Sequence, residues 1–117
     1  MAPTFIFKAG RPFLILGTPG GTGIIGVILN VLVNVIDFQM PLDLALRAPR
    51  ILNRNGATEL ETALLQDEDL KRELYRRGHP IEHQDAYGNV QAVYFDQDND
   101  VIVGESDPRG EGKAEGF

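Results

Sequence analysis

The sequence contains no cysteine. Disulfides, thiolate zinc sites and a cysteine nucleophile are therefore excluded, while the compartment stays open. Serine is nearly absent too. Ser106 stands alone between Glu105 and Asp107, without the strand-to-helix elbow that a serine nucleophile requires. The two histidines are His79 and His83. Pro80 breaks any helix that would place them on one face, and no third ligand is evident, so both read as surface residues and no metal site is expected. Basic charge is short: 11 Lys+Arg against 17 Asp+Glu give a net charge of -6 and a pI near 4.8. That balance repels nucleic-acid phosphate and anionic lipid, so neither is an expected partner. The first residues, Met1 to Phe7, have no basic stretch leading into an apolar one and do not resemble a secretion signal.

What is present is apolar content. At 117 residues and 43% hydrophobic, the chain has enough to build one compact unit. Gly20 to Met40 approaches the length of a membrane span, but Asn30, Asn34, Asp37 and Gln39 interrupt it and no basic flank anchors it. It reads as a buried core helix. Thr4-Phe-Ile-Phe7 and Pro12-Phe-Leu-Ile-Leu16, separated by Lys8-Ala-Gly-Arg11, read as an antiparallel hairpin with Gly10 at positive φ. Gly17 to Gly23 is then a loop, and Thr22 is the expected N-cap of a helix from Gly23 to Phe38, with Asn30 and Asn34 as its narrow polar strip. Prolines bound a short helix between Pro41 and Pro49. A strand is expected over Thr58 to Leu64 and a helix over Asp67 to Arg77, with acids at its front, Leu70 and Leu74 as its apolar stripe, and Gly78 as its stop. Gly88 to Phe95 and Val101 to Gly104 form a second hairpin with an acidic tip, Asp96 to Asp100.

Three patterns invite a chemical reading. Gly21-Thr-Gly23-Ile-Ile-Gly26 has the form of a dinucleotide fingerprint, but the strand before it belongs to an antiparallel hairpin and the segment after the helix is proline-bounded rather than a buried parallel strand. Nucleotide binding is not expected. Asp96, Asp98 and Asp100 have calcium-loop spacing, yet Val101 stands where the loop needs glycine and Asp107 where it needs glutamate. The third pattern is the loop itself. Gly20 and Gly21, after the donor-less Pro19, are placed to aim two backbone N–H groups at one anionic oxygen at a helix entry. A glycine-rich helix entry that binds nothing is the plain alternative.

Seven short segments in order resemble the γ-glutamyltransferase (γ-glutamyltranspeptidase) family. They are Met1-Ala-Pro-Thr4, Gly17-Thr-Pro-Gly-Gly-Thr22, Val33-Asn-Val-Ile-Asp-Phe38, Ala48-Pro-Arg-Ile51, Arg77-Gly-His79, Gly88-Asn-Val-Gln91 and Ser106-Asp-Pro-Arg109. The ending Glu115-Gly-Phe117 is similar as well. The resemblance covers the whole chain and points to the C-terminal part of the small subunit. It implies an α/β (α+β) fold, part of the αββα sandwich of N-terminal-nucleophile hydrolases, mainly antiparallel strands with helices. In that family an N-terminal threonine attacks a γ-glutamyl carbonyl, and Gly20 and Gly21 take the positions of the two oxyanion donors.

The resemblance places the threonine nucleophile, the groups that hold the glutamyl α-amine and the pair of serines that clamps the α-carboxylate upstream of Met1. Thr4 matches a structural threonine. The 117 residues alone are thus expected to be inert, with upstream small-subunit strands and the large subunit of the same precursor as partners. The substrate implied for the intact enzyme is a γ-glutamyl compound such as glutathione, with no cofactor. Gly23 departs from many members, which carry arginine or another polar residue there. Transferase, glutathione hydrolase and β-lactam acylase-like activities all stay open, as does a non-catalytic binding or assembly module that kept the fold. The compartment implied is periplasmic or extracellular, the cytoplasm remaining possible. Surfaces that a whole enzyme covers lead to the expectation of a homo-oligomer, joined through Thr4 to Leu16 or Val90 to Gly104.

Overall fold

The computed structural model describes residues 1–116, so Phe117 of the Glu115-Gly-Phe117 ending lies outside the described residues. The first hairpin forms as expected, with β1 at Thr4–Lys8 and β2 at Arg11–Gly17. Ala9 and Gly10 between them both take positive φ, 51° and 75°, the turn whose twist matches that of the flanking strands. A register shift at Ile6/Phe7 bends β1 near this turn.

The loop after β2 tightens into a 3₁₀ turn at Gly21–Gly23 and leads into helix α1 at Ile24–Ile36. Thr22 is therefore not the N-cap. Gly23 occupies that position with no side-chain cap, and the Thr22 hydroxyl instead accepts a hydrogen bond from Arg54 at 3.0 Å. Proline starts the short helix α2 at Leu42–Arg47.

Beyond it, strand β3 at Ile51–Asn53 pairs antiparallel with β4 at Thr58–Glu61. The strand expected over Thr58 to Leu64 stops early because Glu61 turns its carboxylate into the protein, and Thr62–Leu65 becomes a turn of helix, α3. Helix α4 at Glu68–Arg76 follows, capped by the Asp67 carboxylate, which accepts the Leu70 N–H at 2.9 Å. Strand β5 at Ile81–Gln84 then returns parallel to β4. The acidic-tipped hairpin closes the chain with β6 at Gln91–Asp96 and β7 at Val101–Ser106.

The two hairpins join through an antiparallel β2–β6 pairing into one sheet of order β1-β2-β6-β7, and the smaller sheet runs β3-β4-β5. Leu14 and Leu16 of β2 share a face with Ala92 of β6, and α1 lays Val27, Ile28, Val31 and Val35 against them. These helical positions recur on one side at the expected spacing. Each such fully buried side chain contributes about 1.5–3 kcal/mol.

Asn30 holds α1 to β3, donating to the Ile51 carbonyl at 2.8 Å and accepting the Ile51 N–H at 3.2 Å. Leu52 then packs so near Gly26 that a Cβ there would lie 2.5 Å from its methyl carbon.

The surface is larger than a closed domain of this mass needs. Accessible area is 7587 Å², against about 6,300 Å² for a compact monomer. The radius of gyration is 15.2 Å, against about 13 Å. Phe5, Phe7, Ile25, Leu29, Phe38 and Ile102 are all more than half exposed. Among the described residues no helix is long and apolar enough to cross a membrane.

Candidate functional site

The glycine loop lies between the end of β2 and the start of α1, with Gly20 and Gly21 exposed. Their φ values of 137° and 56° are positive, a conformation glycine adopts freely and most residues avoid. Among the described residues neither the Gly20 nor the Gly21 N–H has an internal acceptor. The Gly20 carbonyl is occupied twice, by the Gly23 N–H at 3.1 Å and the Tyr87 hydroxyl at 2.9 Å. Fully buried Thr18 secures the near end of the loop. Its hydroxyl donates to the Pro19 carbonyl at 2.8 Å and accepts the Asn89 N–H at 2.9 Å.

The formal fingerprint Gly21, Gly23, Gly26 thus has three separate structural causes. Gly21 supplies a positive φ, Gly26 admits Leu52, and Gly23 admits the Tyr87 ring, whose edge would lie 2.1 Å from a Cβ. The Arg54 guanidinium sits over that ring at 6.0 Å and is ion-paired to Glu59. A shallow cavity of roughly 430 Å³ beside Thr22 is lined by Arg54, Glu59 and Glu82.

Tyr87 leads into the densest polar structure in the chain. Arg50, Glu61, Asp107 and Arg109 form a neutral cluster of two cations and two carboxylates beneath the loop. Arg50 donates to Asp107 at 2.6 Å and to the Tyr87 carbonyl at 2.5 Å. Arg109 grips Glu61 with two nitrogens at 2.9 and 2.5 Å, and also donates to the Leu46 and Ala48 carbonyls. Glu61 accepts the backbone N–H of both Arg50 and Tyr87 at 2.9 Å, and Asp107 accepts that of Val90 at 3.0 Å. The strap Tyr87–Val90 is thereby stitched to the glycine loop on one side and to the cluster on the other.

Burial alone raises the Glu61 carboxyl, but Arg109 and the N–H groups of Tyr87 and Arg50 outweigh it and hold it below the ordinary range. Asp107 behaves alike: burial raises it, while the Val90 and Arg109 N–H groups and the Arg50 guanidinium bring it down. Both stay ionised, as a buried acceptor for arginine must.

The remaining candidates lie elsewhere. Thr4 pairs with Leu16 in the sheet, and the Ser106 hydroxyl donates to Gln91 at 2.7 Å. His83 hydrogen-bonds Thr62 at 2.9 Å on an exposed edge, and His79 is exposed. Asp96 closes the hairpin tip by accepting the Asp98 and Asn99 N–H groups at 3.1 Å. No group of three or more potential metal-binding side chains occurs among the described residues.

Tyr87, Glu61 and the partnership of Arg50 with Asp107 were invisible to local reading, because each depends on residues distant in sequence. Arg50, Asp107 and Arg109 do sit inside two of the seven family-like segments. That was the available signal.

Antiparallel strands carrying helices, with a glycine loop at the sheet-to-helix junction, define a mixed α/β fold of the N-terminal-nucleophile hydrolase type. The sequence model of gamma-glutamyltranspeptidase matches residues 1–117, and the chain belongs to that family. It is 32% identical over 109 residues to the glutathione hydrolase proenzyme of Escherichia coli K12, covering 93% of this chain and 19% of that protein. It is 36% identical over 99 residues to the Acylase ACY 1 proenzyme of Pseudomonas sp. strain V22, covering 84% of this chain and 17% of that one. The crystal structure of the Helicobacter pylori gamma-glutamyltranspeptidase T380A mutant superposes with a TM-score of 0.85 at 32% identity, over 94% of this chain and 61% of the other. The chain thus spans about a fifth of the length of these curated relatives.

Proposed function

We propose that this chain forms the C-terminal region of the small subunit of a γ-glutamyl-transferring or glutathione-hydrolysing enzyme and supplies its oxyanion hole through the N–H groups of Gly20 and Gly21. The supporting observation is the loop itself: two exposed donors without internal acceptors, on a path held by Thr18 and Tyr87. Attack on a γ-glutamyl carbonyl moves negative charge onto its oxygen, and donors already in place stabilise that charge without reorganising. Each is worth ~3 kcal/mol of barrier.

The nucleophile in this reading is a threonine whose free α-amine serves as its base. The family resemblance matches none of the threonines within these residues to that nucleophile, and Thr4 is paired with Leu16 in the sheet, so the 117-residue chain alone is expected to turn over no γ-glutamyl substrate. Its partners are the rest of the small subunit and the large subunit. Without them the exposed apolar side chains favour self-association, most simply a two-fold dimer through an edge strand, β1 or β7, since β2 and β6 pair with one another. Light scattering of the pure chain tests this, a monomer at high micromolar concentration being the contrary result.

In a proenzyme carrying this chain, Gly20→Pro or Gly21→Pro lowers kcat for a γ-glutamyl anilide by a factor on the order of 10² or more. Unchanged kcat in correctly processed protein contradicts the assignment. The identity to Acylase ACY 1 favours one second reading, an acylase parent. Comparing a γ-glutamyl anilide with an amide of a side-chain dicarboxylic acid lacking the α-amine separates the two.

A further inference from the structure

The geometry points to Tyr87 as the positioning residue of the glycine loop, the link by which the buried Arg50–Glu61–Asp107–Arg109 cluster sets the path of Gly20 and Gly21. Its backbone is clamped from both sides, the N–H by Glu61 at 2.9 Å and the carbonyl by Arg50 at 2.5 Å. The two peptide units that flank the Tyr87 Cα therefore move only if the cluster moves. From that fixed base the ring reaches the loop, and the hydroxyl donates to the Gly20 carbonyl at 2.9 Å. That carbonyl belongs to the peptide whose nitrogen is the Gly21 donor, so the tyrosine bond fixes the plane in which the donor lies.

The ring also stands where residue 23 would otherwise carry a side chain, with its edge and hydroxyl 2.1 and 2.3 Å from a Cβ built there. Position 23 is glycine because position 87 is tyrosine. No other side chain bonds the Gly20 or Gly21 backbone among the described residues. A loop with two consecutive positive-φ glycines has little stiffness of its own. Losing the hydroxyl should therefore free the donors while leaving the cluster and the core intact.

The kinetic consequence rests on the oxyanion reading of Gly20 and Gly21, but the structural claim does not. Tyr87→Phe keeps the ring and removes the bond. In the ¹⁵N-labelled chain, backbone order parameters at Gly20 and Gly21 should fall from about 0.85 toward 0.6, with the thermal midpoint nearly unchanged. Gly23→Ala should do the same by displacing the ring, and should add nothing once Tyr87→Ala has removed it. In a proenzyme carrying this chain, Tyr87→Phe should lower kcat about tenfold with KM little changed, as expected for donors shifted by a fraction of an ångström.

Unchanged order at both glycines in Tyr87→Phe, or strictly additive effects of Gly23→Ala and Tyr87→Ala, would overturn the inference. A loosened loop with unchanged kcat upholds the positioning role and overturns the oxyanion reading instead.

Discussion

The chain makes ion pairs in two very different places. Beneath the glycine loop, Arg50 and Asp107 are each about 1% exposed, Glu61 is buried at 7%, and Arg109 is mostly enclosed with 11% of its side chain exposed. On α4 and just beyond it, Lys71–Glu68, Arg72–Asp69, Arg76–Glu73 and Arg77–Glu73 pair at 2.6 to 2.8 Å on an open helix face. Distances are alike and consequences are not. Water screens the α4 pairs and competes for every partner, so they decorate a helix that its cap already starts. The buried four have no such alternative, so each charge depends on the others, and the backbone groups they bind inherit that rigidity. The lesson is that only the buried set can hold a remote loop in place.

The comparison breaks most visibly on removing one buried charge. Arg50→Met takes the nearer of two guanidinium partners from Asp107, leaving it Arg109 at 3.1 Å, and frees the Tyr87 carbonyl, a loss of about 3–5 kcal/mol. At about 4–8 °C per kcal/mol for a domain of this size, the thermal midpoint should drop by well over ten degrees or cooperative folding should fail. A near wild-type melt would mean the cluster is dispensable.

Acid sharpens the contrast. Glu61 and Asp107 have folded pKa values below their ordinary 4.5 and 3.8, so the unfolded chain binds protons first as pH falls. Their contribution is complete above about pH 5 and is lost progressively below it, as pH passes through the folded values. Because these groups are buried, the acid transition should move little between low salt and about 0.5 M salt. A strong salt dependence would assign acid unfolding to the surface instead.

The smallest effect belongs to α4. Glu73 is held at about 2 by Arg76 and Arg77, but its side chain is 43% exposed and water reaches both pairs. Glu73→Gln should lower the thermal midpoint by no more than about 4 °C. A larger fall would show that α4 couples to the core.

Local pattern carried the hairpins, α1, α2 and α4, because apolar period, proline and caps act within a few residues. It missed β3 and β5, whose three and four residues acquire meaning only on either side of β4. Consecutive glycines before a helix announce a loop, and the structure has Gly20 and Gly21 there at positive φ. Thr22 misled because its hydroxyl had a rival partner, Arg54, thirty-two positions away. Tyr87 was silent for a similar reason. Nothing around it in sequence states that its ring occupies the missing side chain of Gly23.

The most direct test of the account deletes one donor and keeps the glycine path. Proline at position 20 or 21 removes an N–H but also forbids the φ of 137° or 56° that the loop requires. Replacing Gly21 by glycolic acid, in a proenzyme carrying this chain, turns the amide N–H into an ester oxygen and leaves the glycine path open. The account predicts that kcat for a γ-glutamyl anilide falls by about 10²–10³ while KM changes little. An ester variant that processes normally and keeps the wild-type kcat would contradict it.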